Sequence, residues 1–274
     1  GTVQVGGSEL EIENVIKDSA GRFLHQIKNT QLEKDWTNSL VIFDVNLSRR
    51  KAIQQHHTAT HILHWALREV LGDHVRQAGS LVQPDRLRFD FSHFEALSED
   101  QVKTIERISN ERILQNDDLN SYEVPFSEKP DGVIAFFGEK YGEVVRVVDL
   151  GGWSQELCGG THVRTGGEIG SIRLLSESAI SAGTRRLEAV AGYAAYDWAS
   201  NRLDRFTHLV RGLGCNPEQL EDRIKHIQST NKDLEKKLRS IEQKDQAGLA
   251  EQLIQAATDK QGIKIIAKTV NGVP

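Results

Sequence analysis

Two short segments carry residues whose types and spacing can do chemistry together. In His57-Thr58-Ala59-Thr60-His61 two imidazoles stand four residues apart, and in Cys158-Gly159-Gly160-Thr161-His162 a thiol and an imidazole repeat that interval. On a helix, positions i and i+4 lie one turn apart on one face, so His57 and His61 can share an ion. The glycine pair of the second segment breaks helix and lets the backbone fold tightly round a centre. One cysteine with three histidines is a borderline-soft nitrogen and sulfur set that suits tetrahedral Zn2+ better than Mg2+ or Ca2+. The half-sites lie too far apart for a small zinc-finger module, so a metal here joins distant elements of one core. Thr58 occupies the place of the glutamate in an H-E-x-x-H peptidase helix, which excludes that class of zinc hydrolase.

The elements that must position these residues follow from periodicity. Ile62, Leu63, Ala66, Leu67 and Val70 form one helical stripe from His57 to Leu71, and Gly72 supplies its stop. The stripe His57, His61 and His64 lies roughly 160° from it, at about 100° per residue, so these histidines are not ordinary core residues. A polar solvent face is the competing reading. His56, His64 and His93 are expected to be structural or solvent-facing rather than ligands.

Residues 1–47 alternate in short runs punctuated by Gly6-Gly7 and Ser19-Ala20-Gly21, which predicts a small β unit. Residues 48–192 read as a mixed core: a strand at Arg86–Phe91, then a helix over Ser98–Leu114 capped by Ser98 with Gln101 three residues on. Further strands are expected at Gly132–Phe137, Glu143–Leu150, Ile169–Leu175 and Arg186–Val190. The fold class is therefore α+β, with a mainly antiparallel sheet and helices on one side.

Residues 193–260 are charged and helical. Gly212 and Gly214 end one helix, Asn216 caps the next and Pro217 occupies its first turn, so two helices should lie antiparallel. Leu220, Ile224, Ile227, Leu234, Leu238 and Ile241 follow a 4-3 spacing with Asn231 in a core position, the pattern of a coiled-coil arm. Such an arm can also pair with a neighbouring chain as a homo-oligomer. Residues 261–274 contain the strand-like run Ile263–Val270.

Composition limits the function classes. A net charge of −5 over 274 residues gives no general field for a polyanion, so a nucleic-acid partner must use local clusters. Arg49-Arg50-Lys51, Arg185-Arg186 and Lys236-Lys237 with Arg239 are the candidates, and a solvated surface is the competing reading for each. No apolar run reaches about 18 residues and no charged-then-apolar leader opens the chain, so a cytoplasmic protein without membrane contact is expected. Cys158 and Cys215 are the only cysteines and make no disulfide framework. With Gly1 at its start, no Met, and Asn271-Gly272-Val273-Pro274 at its end, the sequence reads as an excised piece.

Six motifs in order resemble the editing domain of alanyl-tRNA synthetases. They are His57–His61, Gln77-Ala-Gly-Ser80, Arg88-Phe-Asp-Phe-Ser-His93, Phe137-Gly-Glu-Lys-Tyr141, Cys158–His162 and Gly183-Thr-Arg-Arg-Leu-Glu188. The related threonyl branch usually carries Cys-Arg-Gly-Pro-His, so Gly159, Gly160 and Thr161 favour the alanyl branch. The arm from Tyr193 fits the full synthetase better than the freestanding editing proteins. The resemblance implies a zinc-dependent aminoacyl-tRNA deacylase acting on tRNA(Ala) mischarged with serine or glycine. It implies His57, His61, Cys158 and His162 as metal ligands and Gln77 as the residue that orients substrate or water. Thr58 and Thr161 are implied as hydroxyls recognising serine, and Arg185 as a contact to tRNA phosphate, with a structural ion pair as the alternative for Arg185. Residues 261–274 are implied as the start of a C-terminal globular domain. The family's aminoacylation domain, which uses ATP and Mg2+, has no counterpart in this sequence. A zinc-stabilised tRNA-docking module without chemistry of its own is the alternative function.

Overall fold

In the computed structural model, which describes residues 1–28, 36–135 and 141–267, the histidine helix begins well before its apolar stripe does. Asn46 in extended backbone accepts a hydrogen bond from the Arg49 N–H at 2.9 Å and opens α1, Leu47–Leu71. The first two turns, Leu47 to Gln54, are largely polar, so no amphipathic signal marks them. Gly72 ends the helix at φ 108, donating to the Arg68 carbonyl at 2.8 Å.

The chain divides into two compact units, Gly1–Asn201 and Arg202–Pro274. In the first, β1 (Thr2–Val5), β2 (Ser8–Lys17), β3 (Phe23–Ile27) and β4 (Val41–Asp44) form an antiparallel sheet in the order β3-β2-β1-β4. Gly6 and Gly7, both at positive φ, make the two-residue turn that pairs Val5 with Ser8.

Two further sheets follow, rather than the single one expected. β5 (Gln77–Val82), β6 (Leu87–Ser92), β10 (Ile172–Ser181) and β11 (Thr184–Ala191) are antiparallel in the order β10-β11-β6-β5. β7 (Leu119–Pro125), β8 (Val144–Leu150) and β9 (Ser154–Leu157) form the other, in chain order. β5, β7 and β9 carry Gly, Asn, Ser and Gln in place of apolar alternation, which is why periodicity passes over them. Of the expected strand Gly132–Phe137, Ile134 makes an isolated bridge to Glu156, and residues 136–137 lie outside the described residues.

The main core joins α1 to the larger of these two sheets and to α2, Glu99–Gln115. Ile62, Leu63, Ala66 and Leu67 of α1 pack with Phe89 and Phe91 of β6, Leu187 and Ala189 of β11, and Ile105 and Ile113 of α2, all essentially inaccessible to water. Full burial of such side chains contributes about 1.5–3 kcal/mol each. α2 starts on the expected capping box: Ser98 Oγ accepts from Gln101 N at 3.2 Å, and Gln101 Oε1 accepts from Ser98 N at 2.9 Å. Val133, Val145, Val147 and Leu157 form a smaller cluster beneath the three-stranded sheet.

α3 spans Tyr193–Gly212. In the second unit α4, Leu220–Gln255, follows an Asn216–Gln219 capping box with Pro217 in its first turn, and a short hairpin of β12 (Thr258–Lys260) and β13 (Ile263–Ile265) comes after it. Of the run Ile263–Val270, residues 268–270 lie outside the described residues. At 1.5 Å per residue α4 is about 54 Å long, and none of its residues is buried, its 4-3 stripe included. Among the described residues no helix is long and apolar enough to cross a membrane.

Candidate metal centre

α1 is covered on both sides. Its apolar stripe faces the core, while its histidine face meets β9 and the segment after it, so His61 and His64 are buried rather than solvated. Cys158 follows β9 directly, and its N–H donates to the Arg146 carbonyl of β8 at 3.0 Å. The Arg146 guanidinium returns to the same segment, donating to the carbonyls of Gly160 at 2.5 Å and Cys158 at 3.3 Å. Thr58 Oγ1 accepts from the Val163 N–H at 3.2 Å and fastens the far end of the segment to α1.

These contacts bring together the four residues read from the two motifs. One ligand atom from each of His57, His61, Cys158 and His162 lies within 4.8 Å of every other. Cys158 Sγ is 3.4 Å from His57 Nε2. A tetrahedral zinc with bonds of about 2.0–2.3 Å needs donors roughly 3.3–3.7 Å apart, so the widest separation must close by about 1 Å. Gly160 makes the approach possible: a Cβ on it would lie 1.9 Å from His57 Cε1. Gly159 has open space at the same position.

The surrounding hydrogen bonds determine which nitrogens face inward. Glu156, at 1% exposure, accepts from His61 Nδ1 at 2.6 Å and from His64 Nδ1 at 2.9 Å. That leaves His61 Nε2 buried without a partner among the described residues, and His162 Nε2 is in the same position. Buried polar atoms are rarely left unsatisfied, and two that converge beside a thiol are what a metal would satisfy.

Charge is arranged in the same sense. Burial pushes the Cys158 thiol up, but the imidazoles of His162, His57 and His61 gathered round the sulfur outweigh it and bring the group down to about 3, a thiolate. Burial opposes charge on His61, yet the carboxylate of Glu156 and the sulfur of Cys158 lift it to about 10. Glu156 is held at about 2 against its own burial, chiefly by His61 and then by His64. Burial, reinforced by the charges of His61 and His57, lowers His162 to about 4 and keeps it neutral. A thiolate and a carboxylate around one imidazolium favour a cation in its place.

A cavity of about 200 Å³ opens beside the cluster, lined by His57, His61, Cys158, Thr60, Gln77 and Ser80 among others. His162 is not in its wall, so the centre faces the cavity through three of its four donors.

Comparison with known proteins gives this arrangement a family. The family described as Threonyl and Alanyl tRNA synthetase second additional domain matches residues 145–188. Over 99% of its length the chain is 46% identical to the alanine–tRNA ligase of Opitutus terrae, and over all of it 41% identical to that of Thermotoga maritima. The chain belongs to the alanyl-tRNA synthetase family. It spans 29% and 31% of the lengths of those two relatives.

The motifs that resemble alanyl-tRNA synthetases are distributed as follows. Gln77 lines the cavity and donates from Nε2 to Ser80 Oγ at 3.2 Å. Thr58 is fully buried, with its hydroxyl bonded to the Gln54 carbonyl, His162 Nδ1 and the Val163 N–H, and it does not line the cavity. Thr161 is exposed and also outside the cavity wall, whereas Thr60 is in it. Arg185 makes a bidentate pair with Glu177, at 2.5 and 2.7 Å, and Arg186 pairs with Asp90 directly across the β11–β6 ladder. Of the Phe137–Tyr141 motif only Tyr141 is described. Among the spare imidazoles His64 serves Glu156, His56 accepts from the Ala191 N–H at 3.1 Å, and His93 bonds His74 at 2.9 Å.

Sequence reasoning missed Glu156, Arg146 and Thr60. Glu156 stands two residues before Cys158 in a short polar strand, and Thr60 is next to His61. Adjacency to the motifs was the one signal available for either. Arg146, distant along the chain, carried none.

Proposed function

We propose that the chain is the editing module of an alanyl-tRNA synthetase, a cytoplasmic aminoacyl-tRNA deacylase that hydrolyses tRNA(Ala) mischarged with serine or glycine. The supporting observation is the convergence of His57, His61, Cys158 and His162 at the edge of a cavity that also presents Thr60, Gln77 and Ser80. The donor set fits zinc, with His57, His61, Cys158 and His162 as ligands. Zinc there supplies a Lewis acid and an anchoring point for the 3′-terminal adenosine with its aminoacyl group.

The need for such a site follows from binding energies. An added hydroxyl or a missing methyl changes affinity by only about 1–3 kcal/mol in a pocket unable to exploit it, so a second, hydrolytic sieve is required to reject serine and glycine. The chain's own residues divide the work. Gln77, steadied by Ser80, orients the ester or the attacking water. Thr60 donates its proton to the His56 carbonyl at 2.9 Å, which leaves its lone pairs to accept from a serine hydroxyl. Arg49, Arg50 and Lys51 are exposed at the start of α1 and suit backbone phosphates, while Arg185 is engaged by Glu177.

In this reading residues 1–47 form the small β unit and 48–192 the editing core. Residues 193–260 are a coiled-coil arm that spaces the core along a long substrate or pairs copies of the chain, and 261–274 begin a further domain. Ligation of alanine with ATP and Mg2+ belongs to other parts of the parent synthetase.

One observation favours a second reading. Four protein donors describe a closed structural site, whereas catalytic zinc sites usually keep a position open, so a tRNA-docking module without chemistry competes. Single-turnover deacylation of Ser-tRNA(Ala) separates the two. Wild type should release serine, Cys158→Ala should lose most of that rate, and Gln77→Ala should lose rate while keeping zinc. A zinc-loaded chain that binds the tRNA and leaves its ester intact is a docking module.

A further inference from the structure

The three histidines of the cluster are useful to a metal only if each turns an unprotonated nitrogen towards it, and a buried imidazole chooses its tautomer by what its other nitrogen meets. Two side chains outside the ligand set make that choice. The Glu156 carboxylate receives His61 Nδ1 at 2.6 Å, and, being acceptor-only, it requires the proton to be on Nδ1. Thr58 Oγ1 has one proton, given to the Gln54 carbonyl at 3.0 Å, and already accepts from Val163 N–H at 3.2 Å. Towards His162 Nδ1, at 3.2 Å, it can therefore only accept. With each ring neutral, as a metal requires, the proton sits on Nδ1 and Nε2 is bare, and these are two of the buried nitrogens without a partner.

Glu156 also settles a charge. Three neutral imidazoles and one thiolate leave a divalent cation with one unit of positive charge uncompensated. Glu156, at 1% exposure, is the buried carboxylate in contact with the ligand set. It brings the sum to zero where an unbalanced charge would be costly.

We infer that Glu156 and Thr58 are positioning residues of this centre: Glu156 fixes the tautomer of His61 and balances the charge, and Thr58 fixes the tautomer of His162. The inference rests on the zinc reading of the four-residue cluster. It assigns Thr58 to the metal's support in place of contact with the substrate.

Substitutions separate the two roles. In Glu156→Gln the amide offers one acceptor oxygen and one donor group, so it satisfies either His61 or His64 as Nδ1–H and forces the other to carry its proton on Nε2. Thr58→Val removes the acceptor opposite His162 with little change of shape, and Thr58→Ser restores it.

The test measures zinc affinity of the whole chain by competition with a chromophoric chelator, after urea unfolding has shown each metal-free variant to be folded. Loss of an outer partner of a ligating histidine typically weakens binding 10–100-fold. Glu156→Gln and Thr58→Val should each fall by about that factor, and Thr58→Ser should stay within about threefold of wild type. Cadmium-113 in place of zinc, with nitrogen-15 in the histidines, reads the atoms directly. Wild type should show coupling to Nε2 of His61 and His162, and Thr58→Val should lose the His162 coupling while retaining that of His61. Wild-type affinity in both folded variants, or coupling through Nδ1 in wild type, overturns the inference. A wild-type chain without measurable zinc affinity overturns the zinc reading itself. The wild-type coupling decides the matter even if Glu156→Gln fails to fold.

Discussion

Gly160→Ala isolates one atom-sized requirement of the centre. The Cβ it adds would lie 1.9 Å from Cε1 and 2.4 Å from Nδ1 of His57. Non-bonded carbons settle at about 3.5–4.0 Å, so the ring must retreat by roughly 1.5 Å. Ligand distances tolerate only about 0.2 Å, which removes His57 from the set. Gly160 is not among the positive-φ glycines, so alanine meets no backbone strain there, and displacement of the ring is the whole effect. Loss of an outer partner weakens zinc 10–100-fold, so loss of a ligand should cost about 100-fold or more. With zinc in excess, a 100-fold weaker site forfeits about 2.7 kcal/mol of zinc-dependent stabilisation. For a unit of this size that is roughly 5–10 °C less gain in Tm on adding zinc. Gly159→Ala is the matched control, because nothing lies within 4 Å of its added Cβ. Chelator competition and thermal melts with and without zinc measure both quantities. Equal zinc affinity and equal zinc-dependent Tm in the two variants would refute the packing argument.

Other perturbations test the charge arrangement and the packing. In the chelator-treated chain, Cys158 (about 9 to about 3), Glu156 (4.5 to about 2) and His162 (6.5 to about 4) all release protons earlier folded than unfolded, so each adds stability as pH rises through its interval. His61, raised from 6.5 to about 10, acts oppositely: its contribution is complete below 6.5 and is lost by about 10. Stability should climb to about pH 6.5, stay level while Cys158 and His61 offset each other, and fall above about 9, at up to about 1.4 kcal/mol per pH unit for each group. Urea unfolding from pH 3 to 10 checks this, and a chain more stable at pH 4 than at pH 8 contradicts it. Phe89→Ala empties a fully buried site against His64 and should cost about 3–5 kcal/mol in the same assay. Leu238→Ala, on the exposed stripe of α4, should change stability by less than about 0.5 kcal/mol. A larger, concentration-dependent loss would mean that the stripe is paired with another copy.

Legibility of the fold varied with how strongly each element is patterned. The stripe Ile62 to Val70, the Ser98–Gln101 box and the Asn216–Pro217 start are local devices that act within a turn or two, and each is found where its residues stand. The first turns of α1 are held by the Asn46 cap, which hydropathy does not register. β5, β7 and β9 owe their strand conformation to neighbours supplied by distant segments: Ser80 pairs with Phe89, Tyr122 with Val147 and Gln155 with Asp149. No local preference of Gln-Ala-Gly-Ser announces such a ladder, since β propensity is largely a statement about context.

In the site, the gathering of His57, His61, Cys158 and His162 was legible because the same four-residue interval recurs in helix and loop, and an interval survives in one dimension. The groups that aim them were not. Glu156 meets His61 and His64 across 95 and 92 residues of chain, and Thr58 meets His162 across 104. The same geometry bears on the tension between four ligands and catalysis. His57, His61 and Cys158 border the cavity while His162 lies behind them, supported by Thr58. With zinc held by the four, a group entering the cavity would meet it on one open flank, beside Gln77 and Thr60, without dislodging His162. A centre closed in its count of ligands can still be open in one direction, and that direction is set by the side chains that hold the imidazoles from behind.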